Sequence, residues 1–263
     1  MRDRHSQSNK NSREHVADGD QYSIEIWGIH AVEAALNNPS RDVRKLYLTE
    51  NAANRLSVAL DKRRIQPERV SPRDLDRKLG PDTVHQGALL ETLPLEDAPL
   101  SHLAATSADK GPVVILDQVT DPHNVGAIMR SAAVFGSAGL VMTRRHSPPL
   151  AGALAKAASG ALETVPVALV QNLGRAMAEL TASGVTLIGL DSPADALLED
   201  SELDGPLALV LGAEGRGLRQ LTRQNCQHMT RILGDGPITS LNVSNAAAVS
   251  LHLAAMARRR RMQ

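Results

Sequence analysis

Three polar loops carry the residues whose types and spacing could perform chemistry. The first covers residues 117–126, follows an apolar stretch and leads into a helical pattern that contains Arg130. Ligands of open α/β sheets bind beyond the carboxyl ends of the strands, which is the setting of this loop. Asp121 and Asn124 are also common helix N-caps, so a purely structural role stays open for both. Arg130 lies among apolar residues, where a charge is costly unless it is paired or functional.

The second loop is rich in glycine and follows an apolar run, with the sequence LVLGAEGRGL at residues 209–218. Glycine allows positive φ angles and lets a ligand approach the backbone closely. The spacing differs from the dinucleotide-binding fingerprint, and the loop lacks the Gly-Lys-Ser/Thr of a phosphate-binding P-loop. Glu214 among three glycines indicates a binding or catalytic site, although a plain tight turn stays open.

The third loop, ILGDGPITSLNVSN at residues 232–245, precedes the last helical pattern of the chain. Ser240, Asn242, Ser244 and Asn245 place four polar side chains beside a helix start. Any one of them could be a cap. Together they offer more donors and acceptors than a cap requires, which favours a site.

Other chemistries find little support in the sequence. Asp117, Asp121 and His123 could in principle bind a metal, but no second ligand cluster accompanies them, and we expect no metal. The G-x-S-x-G, H-E-x-x-H and C-x-x-C patterns of hydrolases, metalloproteases and redox or zinc sites do not occur. The single cysteine, Cys226, excludes an internal disulfide framework and fits a reducing compartment.

The elements that must position these loops follow from the hydrophobic pattern. Short apolar runs at residues 113–116, 140–142, 165–170, 185–190 and 207–211 alternate with helical stretches. Fully apolar strands separated by helices predict an α/β fold with a parallel sheet that is covered on both faces. A final alanine-rich helix is predicted from residue 244 to about 261.

The 263-residue chain predicts two domains with further segments around them. Residues 1–20 are polar and predict a disordered tail rather than a signal peptide. Residues 21–93 predict a small α/β substrate-binding unit with helices at 29–36 and 51–64 and strands at 43–48 and 88–93. Residues 94–110 contain prolines and small residues and predict a linker, which leaves 111–263 as the larger domain.

The charge and hydrophobicity of the chain limit the kinds of partner that it can bind. Twenty-nine basic and 29 acidic residues give a net charge of zero, which excludes a strongly basic coat protein of nucleic acids. Between residues 41 and 78, eleven Lys/Arg and six Asp/Glu leave a local excess of five positive charges. This stretch is either a solvated surface or a face that contacts phosphates. No apolar run is long enough to span a membrane, so we expect no membrane and a cytoplasmic location.

The three loops, in this order, resemble the three motifs of the SpoU (TrmH-like) RNA ribose 2′-O-methyltransferases. The stretches DPHNVGAIMRSA, LGAEGRGL and SLNVSNA carry the resemblance, which covers residues 112–263. GIHAV at residues 28–32 and VHQG at 84–87 are similar to one subgroup, whose members modify a guanosine of 23S rRNA and carry a small N-terminal substrate-binding domain.

The resemblance implies a C-terminal domain of the SPOUT type, an α/β trefoil knot that binds S-adenosylmethionine, in a homodimer that acts on RNA, most readily 23S rRNA. The family's catalytic positions correspond to Asn124, Arg130, Glu214, Ser240 and Asn242. Its cofactor contacts, made largely by backbone, correspond to Leu211, Gly212, Ile232 and Leu241. The family pattern has proline at the position of Leu233. Without the proline we expect the loop to be locally less rigid.

Arg130 stands where the family's usual candidate for the base lies. A guanidinium gives up its proton with difficulty, so a cation that grips a phosphate or stabilises a developing alkoxide is the better physical description. Glu214, Ser240 and Asn242 would shape the ribose and methyl pocket, and Asn124 would orient Arg130 or the substrate.

Several alternatives stay open at the level of sequence. The substrate could be a tRNA, or the protein could be an inactive RNA-binding factor of ribosome assembly. It could also be a self-protecting rRNA methyltransferase that confers antibiotic resistance, or a nucleotide-binding oxidoreductase. Aromatic residues make up only 2% of the chain, which argues against an extended platform for stacking bases.

Overall fold

The computed structural model describes residues 22–238, 240–261 and 263, so the predicted tail at residues 1–20 lies outside the described residues. The N-terminal unit contains a four-stranded sheet with the order β1-β4-β2-β3. Its strands are β1 (Ile24–Trp27), β2 (Val43–Leu48), β3 (Glu68–Arg69) and β4 (Ala88–Thr92). β4 runs antiparallel to both neighbours, and β2 and β3 are parallel. The predicted strands at 43–48 and 88–93 are confirmed, whereas β1 was not predicted.

Four helices belong to this unit: α1 (Ile29–Asn37), α2 (Glu50–Arg55), α3 (Ser57–Arg63) and α4 (Pro72–Leu79). The single helix predicted over residues 51–64 is therefore wrong, because it is divided at Leu56. The Thr49 side chain caps α2 by accepting from the Ala52 backbone N–H. Arg64 ends α3 in the left-handed conformation, with φ of 56°.

The predicted linker is only partly an irregular segment. Residues 100–110 form helix α5 (Leu100–Lys110), and Leu103 on this helix is fully buried. Before it, the Ala98 backbone N–H donates to the Val167 carbonyl at 2.8 Å. The prolines at 94 and 99 precede the helix rather than interrupt it, because proline is tolerated at a helix start. The second half of the segment is thus part of the larger domain.

The C-terminal domain is built on a seven-stranded sheet with the order β7-β6-β5-β10-β8-β11-β9, and every neighbouring pair is parallel. The five strands predicted from apolar runs are β5 (Val113–Asp117), β6 (Gly139–Thr143), β7 (Val167–Val170), β8 (Thr186–Leu190) and β10 (Leu207–Gly212). The two strands at one edge, β9 (Ala196–Leu197) and β11 (His228–Arg231), are short and were not predicted.

Helices cover both faces of this sheet, as predicted. The helices besides α5 are α6 (Pro122–Phe135), α7 (Gly152–Ala158), α8 (Leu173–Ala182), α9 (Gln220–Asn225) and α10 (Val243–Arg261). Val114 and Leu116 pack in one core with α6, α7 and α10, while Val113 and Ile115 pack in a second core with α5 and α8. Alternate residues of one strand thus serve opposite cores, as strand geometry requires.

The two domains share a hydrophobic core and a buried ion pair. Residues of β1, α1 and β2 lie in the same buried cluster as residues of α6 and α7. Arg41 forms a bidentate pair with Glu163, with Nε–Oε2 and Nη2–Oε1 distances of 3.1 and 2.7 Å. Their side chains are 1% and 4% exposed. The N-terminal unit is therefore docked firmly on the larger domain.

Candidate active site

The centre of the parallel sheet brings the first two loops together. β5 and β10 are adjacent, and their last residues, Asp117 and Gly212, face each other in the register. The loop after β5 leads into α6, and the glycine-rich loop follows β10. Because both strands end at the same edge, the chemistry-bearing residues of both loops lie at this edge of the sheet.

Asn124, Glu214 and Asn242 form one hydrogen-bonded cluster, one residue from each loop. The Asn124 amide nitrogen donates to Glu214 Oε1 at 3.1 Å. The Asn242 amide nitrogen donates to Asn124 Oδ1 at 3.0 Å and also to Glu214 Oε1. These contacts join positions 90 and 118 residues apart in the chain. The structure thus brings together three of the five predicted catalytic positions.

Two helix caps fix the orientation of the cluster. Asp121 caps α6 by accepting from the His123 backbone N–H at 2.9 Å, and its other carboxylate oxygen accepts from Asn124 at 3.1 Å. Asn242 Oδ1 accepts from the backbone N–H and the hydroxyl of Ser244, at 2.9 and 2.6 Å. With its oxygen committed to the start of α10, the Asn242 amide must present its nitrogen to Glu214.

Glu214 keeps one carboxylate oxygen available. Both amide donors converge on Oε1, and among the described residues Oε2 makes no hydrogen bond. Glu214 lies on an exposed part of the loop, whereas Asn124 is buried. The cluster therefore offers a fixed acceptor that faces outward, as a site for a hydroxyl group requires.

The glycine-rich loop is anchored on both sides by ion pairs. Asp117, at the end of β5, accepts from the Arg219 backbone N–H at 3.0 Å and from Arg219 Nε at 2.6 Å. Asp191, just after β8, pairs with Arg223 at 2.5 Å. The Asp117 side chain is fully buried and Arg219 is half exposed. Sequence reasoning missed Arg219, Arg223 and Asp191, because nothing in their spacing shows which carboxylate each arginine meets.

Gly212 must be a glycine for the loop to close. A Cβ at this position would lie 2.2 Å from the Gly217 carbonyl carbon and 2.4 Å from the Leu218 nitrogen. The loop returns on itself through a hydrogen bond from the Gly217 N–H to the Ala213 carbonyl at 2.9 Å. Gly215 and Gly217 have φ of 77° and 63°, which other residues rarely adopt. The Leu211 side chain before them is buried.

Arg130 is not part of the cluster. Six residues separate it from Asn124 on α6, which turns the two side chains apart by roughly 120° around the helix. Arg130 is exposed, and the described residues give it no ion pair or hydrogen bond. In this chain the guanidinium lies on the solvent side, so its charge is hydrated, and the catalytic role of Arg130 stays a prediction.

The remaining predicted positions lie on the third loop. Ser240 and Leu241 are exposed, and Ile232 is half-buried. Ser240 makes no hydrogen bond to the described residues. Leu233, Ile238 and Leu241 expose large apolar side chains, by 54%, 81% and 52%. The Leu233 N–H donates to the Glu199 carboxylate at 3.2 Å, whereas the backbone of residues 234–238 makes no hydrogen bond to the described residues, which leaves those peptide groups open to a ligand.

Metal and thiol chemistry receive no support from the described residues. They contain no group of three or more His, Cys, Asp or Glu side chains that could bind a metal. Both oxygens of Asp117 are already engaged by Arg219. Burial raises the pKa of the Cys226 thiol to about 11, so the nucleophilic thiolate is scarce at neutral pH. No helix among the described residues is long and apolar enough to cross a membrane.

Family comparisons agree with the fold and with its division into two domains. The SpoU rRNA Methylase family matches residues 111–252, and the family described as RNA 2′-O ribose methyltransferase substrate binding matches residues 26–98. The architecture is that of an α/β enzyme domain preceded by a substrate-binding domain. The chain belongs to the SpoU rRNA methylase family.

Curated relatives extend the match over most of the chain. The 23S rRNA (guanosine-2′-O-)-methyltransferase RlmB of Vibrio cholerae is 38% identical over 234 residues, which are 86% of this chain and 94% of the relative. RlmB of Escherichia coli K12 is 36% identical over 233 residues, covering 86% of this chain and 95% of the relative. RlmB of Pseudomonas syringae is 34% identical, with 86% and 92% covered.

Solved structures show the same fold. The SpoU methyltransferase AviRb of Streptomyces viridochromogenes, in complex with the cofactor AdoMet, aligns with a TM-score of 0.73 and 23% identity, covering 91% of each chain. An AdoMet-bound rRNA methyltransferase of Sinorhizobium meliloti aligns with a TM-score of 0.73 and 21% identity, covering 92% of this chain and 88% of the other.

Proposed function

We propose that this protein transfers the methyl group of S-adenosylmethionine to the ribose 2′-oxygen of a guanosine in 23S rRNA. The observation that carries the proposal is the hydrogen-bonded cluster of Asn124, Glu214 and Asn242, which unites three distant loops at the carboxyl edge of the sheet. The choice of reaction and substrate is supported by the family and by the names of the RlmB relatives. A catalytically inactive assembly factor is not favoured, because such a factor would have no need to keep this cluster.

The residues of the loops fit the cofactor. S-adenosylmethionine supplies an electrophilic methyl group on a sulfonium, and its adenine needs apolar contacts and backbone hydrogen-bond partners. The exposed apolar side chains of Leu233, Ile238 and Leu241 and the open peptide groups of residues 234–238 match that demand. We assign cofactor binding to Leu211, Gly212, Ile232 and Leu241, largely through their backbones.

The chain's own task in catalysis is to hold the ribose in position and to help remove the proton that the 2′-hydroxyl loses on methylation. The free Oε2 of Glu214 is an acceptor for a ribose hydroxyl, and Asn124 and Asn242 hold the carboxylate in place. Ser240 adds a hydroxyl at the rim of this site. Alignment of the nucleophile with the methyl group lowers the barrier by several kcal/mol, on the order of the effect of well-oriented intramolecular reactants. Only RNA carries the 2′-hydroxyl that such a site recognises.

A homodimer explains the position of Arg130. Val134 lies one turn after Arg130 on α6 and is 69% exposed, and Val249 and Met256 on α10 are 37% and 42% exposed. α6 and α10 pack on each other, with Phe135 and His252 in edge contact at 5.3 Å between ring centres. A second copy that covers these apolar side chains would meet Arg130, whose guanidinium would then serve a site completed by the dimer.

Two further parts of the proposal concern topology and location. We infer a trefoil knot in the C-terminal domain, a topology that is rare among proteins. The match of residues 111–252 to the SpoU rRNA methylase family supports it. A ribosomal RNA substrate puts the protein in the cytoplasm.

The test is transfer of labelled methyl from S-adenosylmethionine to unmodified 23S rRNA and, separately, to unmodified tRNA, with Arg130→Ala as the control. We expect label at a single site of 23S rRNA, mapped by nuclease protection, and no label with the control. Label in tRNA alone would keep the chemistry and overturn the substrate. Absence of cofactor binding would overturn the proposal as a whole.

A further inference from the structure

A cleft between the two domains lies next to the catalytic cluster and has no part in the function described so far. Its volume is about 580 Å³, within the ~300–1,000 Å³ of small-molecule sites. One wall is β1 with its neighbour, and the other is the loop that leads into α7. Pro122 also lines the cleft, and it directly follows Asp121, the residue that orients Asn124. A nucleotide in the cleft would therefore lie beside the catalytic loop.

Aromatic side chains are concentrated at this cleft. The chain has four aromatic residues of the Phe, Trp and Tyr types, and two of them, Tyr22 and Trp27, line it. Trp27 is half-buried and its ring rests on the backbone of Gly152, where a Cβ would approach the ring to 2.6 Å. Tyr22 is 76% exposed. A fixed indole beside an exposed phenol is a surface on which a single base can stack.

Two carboxylates face the same space. Glu25 and Glu91 are directly opposite each other in the antiparallel register of β1 and β4, and Glu25 shares a strand face with Trp27. Glu91 contacts Lys78 at 3.4 Å, and the Lys78 ammonium lies over the Tyr47 ring at 4.3 Å. Among the described residues Glu25 has neither an ion pair nor a hydrogen bond. Burial, with the nearby Glu91, raises the pKa of Glu25.

The aromatic side chains and the two carboxylates together favour binding of the edge of a base over binding of a phosphate. Two neighbouring carboxylates repel a phosphate and accept hydrogen bonds only. Among the four RNA bases, guanine alone presents an imino and an amino N–H side by side, which match the two oxygens of one carboxylate. Bases that are splayed out of an RNA are read in this way, by stacking and by hydrogen bonds to their Watson–Crick edge.

We propose that the cleft between β1 and the start of α7 binds a guanine base of the substrate RNA, stacked on Trp27 and read by the Glu25 carboxylate. Glu91, directly opposite Glu25 on β4, is itself held by Lys78. The inference rests on the proposed function, because it takes the substrate RNA as the occupant. The two side chains that would contact the base, Trp27 and Glu25, lie outside the three family motifs and outside the cofactor loops.

Trp27 is the only tryptophan of the chain, so its fluorescence reports directly on the cleft. The experiment titrates the full chain, without cofactor, with the single-stranded RNAs UUGUU, UUIUU and UUAUU. Inosine lacks the 2-amino group of guanine and removes one of the two donors. We expect UUGUU to quench Trp27 and to bind about tenfold or more tightly than UUIUU, with UUAUU weaker still, because hydrogen bonds to a charged group are strong.

The matched variants are Glu25→Gln in the cleft and Glu68→Gln on β3, at the opposite edge of the same sheet. Glu25→Gln should remove the preference for UUGUU over UUIUU, whereas Glu68→Gln should keep it. Equal binding of the three RNAs by the unaltered chain, or an unchanged preference in Glu25→Gln, would overturn the inference.

Methyl transfer to 23S rRNA by the same variants separates this inference from the proposed function. We expect Glu25→Gln to raise KM for the RNA with a smaller effect on kcat. Methyl transfer by the unaltered chain without guanine preference in the cleft would overturn the inference alone. If the chain prefers guanine but transfers no methyl group to any RNA, the cleft would still be a guanine site, and the proposed function would be overturned.

Discussion

The side chain of Asn242 performs two tasks with one amide group. Its oxygen caps α10 and its nitrogen holds Glu214 and Asn124. Substitution by alanine removes both tasks, whereas substitution by serine keeps a good N-cap but is too short to reach Glu214. The two variants therefore separate structure from catalysis.

We expect Asn242→Ala to lower the free energy of unfolding by about 1 kcal/mol and Asn242→Ser to leave it nearly unchanged. Both should reduce kcat by about 10²-fold, because the carboxylate loses its orientation. Denaturant unfolding and single-turnover methyl transfer provide the two measurements. Wild-type kcat in Asn242→Ser would show that the amide is only a cap.

Arg130 is exposed, so its substitution should affect activity without affecting stability. We expect Arg130→Ala to stay within about 0.5 kcal/mol of the unaltered chain in unfolding free energy and to lose methyl transfer. Arg130→Lys should keep part of the activity if the role is electrostatic, because the charge is retained. Steady-state kinetics of both variants tests this, and a wild-type kcat in Arg130→Lys would contradict a specific role for the guanidinium.

At the residue scale, the sequence pointed to three polar positions that the structure joins by hydrogen bonds, but not to the contacts themselves. Asn124, Glu214 and Asn242 stood out by type and by their place before helices. Their mutual hydrogen bonds depend on β5 and β10 being neighbours in the sheet, which no local pattern states. Arg219 was missed for the same reason, since its partner Asp117 is 102 residues away.

Among the elements, the anchored glycine-rich loop is the one whose shape we expect to govern cofactor binding. Arg219→Ala would leave the buried Asp117 carboxylate without its partner, which costs up to about 3–5 kcal/mol for a fully buried pair and less here because Arg219 is half exposed. We expect a lower melting temperature and weaker binding of S-adenosylmethionine. Asp117→Asn should cost less stability, because a neutral amide needs no cation.

Isothermal titration of the cofactor and thermal unfolding of both variants check this expectation. Arg175→Ala is a suitable control, since Arg175 is exposed on α8 away from the loop. Unchanged cofactor affinity in Arg219→Ala would show that the ion pair does not shape the loop.

The N-terminal helices carry the cations that we expect to contact RNA phosphates. Of the basic residues between 41 and 78, Arg41 is buried against Glu163, and Arg63 donates to the Arg41 carbonyl at 2.5 Å. These two serve packing rather than RNA. Lys62 and Arg64 are exposed, and the described residues give them no ion pair.

We expect Lys62→Glu combined with Arg64→Glu to weaken binding of 23S rRNA fragments and to flatten its salt dependence, because fewer counterions are released. Arg175→Glu in the other domain is the matched charge reversal. Filter binding between about 50 and 200 mM salt provides the slope. An unchanged slope would exclude this face from the RNA interface.

The fully buried strands of the larger domain were all predicted, whereas its two short strands with few buried residues, β9 and β11, were missed. The runs at 113–116 and 207–211 are apolar because both faces of β5 and β10 are covered, so they were recognised. β11, with the sequence HMTR, lies near the edge of the sheet and has one buried residue, which leaves no pattern to recognise. Helix α5 was taken for a linker because its buried side is formed largely by small residues.

For the molecule as a whole, we expect the buried pair of Arg41 and Glu163 to make the two domains unfold as one cooperative unit. Glu163→Ala would leave the Arg41 guanidinium buried and unpaired, at a cost of about 3–5 kcal/mol. We expect the single thermal transition of the unaltered chain to split or to broaden and shift downward. Glu179→Ala, at an exposed site on α8, is the control.

The double variant Arg41→Met with Glu163→Leu should recover much of the loss, because apolar side chains can replace a buried ion pair. Differential scanning calorimetry compares the unaltered chain with Glu163→Ala, the double variant and the Glu179→Ala control. A Glu163→Ala protein with the melting temperature of the unaltered chain would contradict a structural role for the pair.

The central claim, that the three-loop cluster directs a methyl group to a ribose oxygen, is tested most directly by the position of the label in the product. Unmodified 23S rRNA is methylated with labelled S-adenosylmethionine and digested to nucleosides, which are separated by chromatography. The account predicts that the label is in 2′-O-methylguanosine and is lost with Glu214→Gln. Label in a base-methylated nucleoside, or full activity in Glu214→Gln, would contradict it.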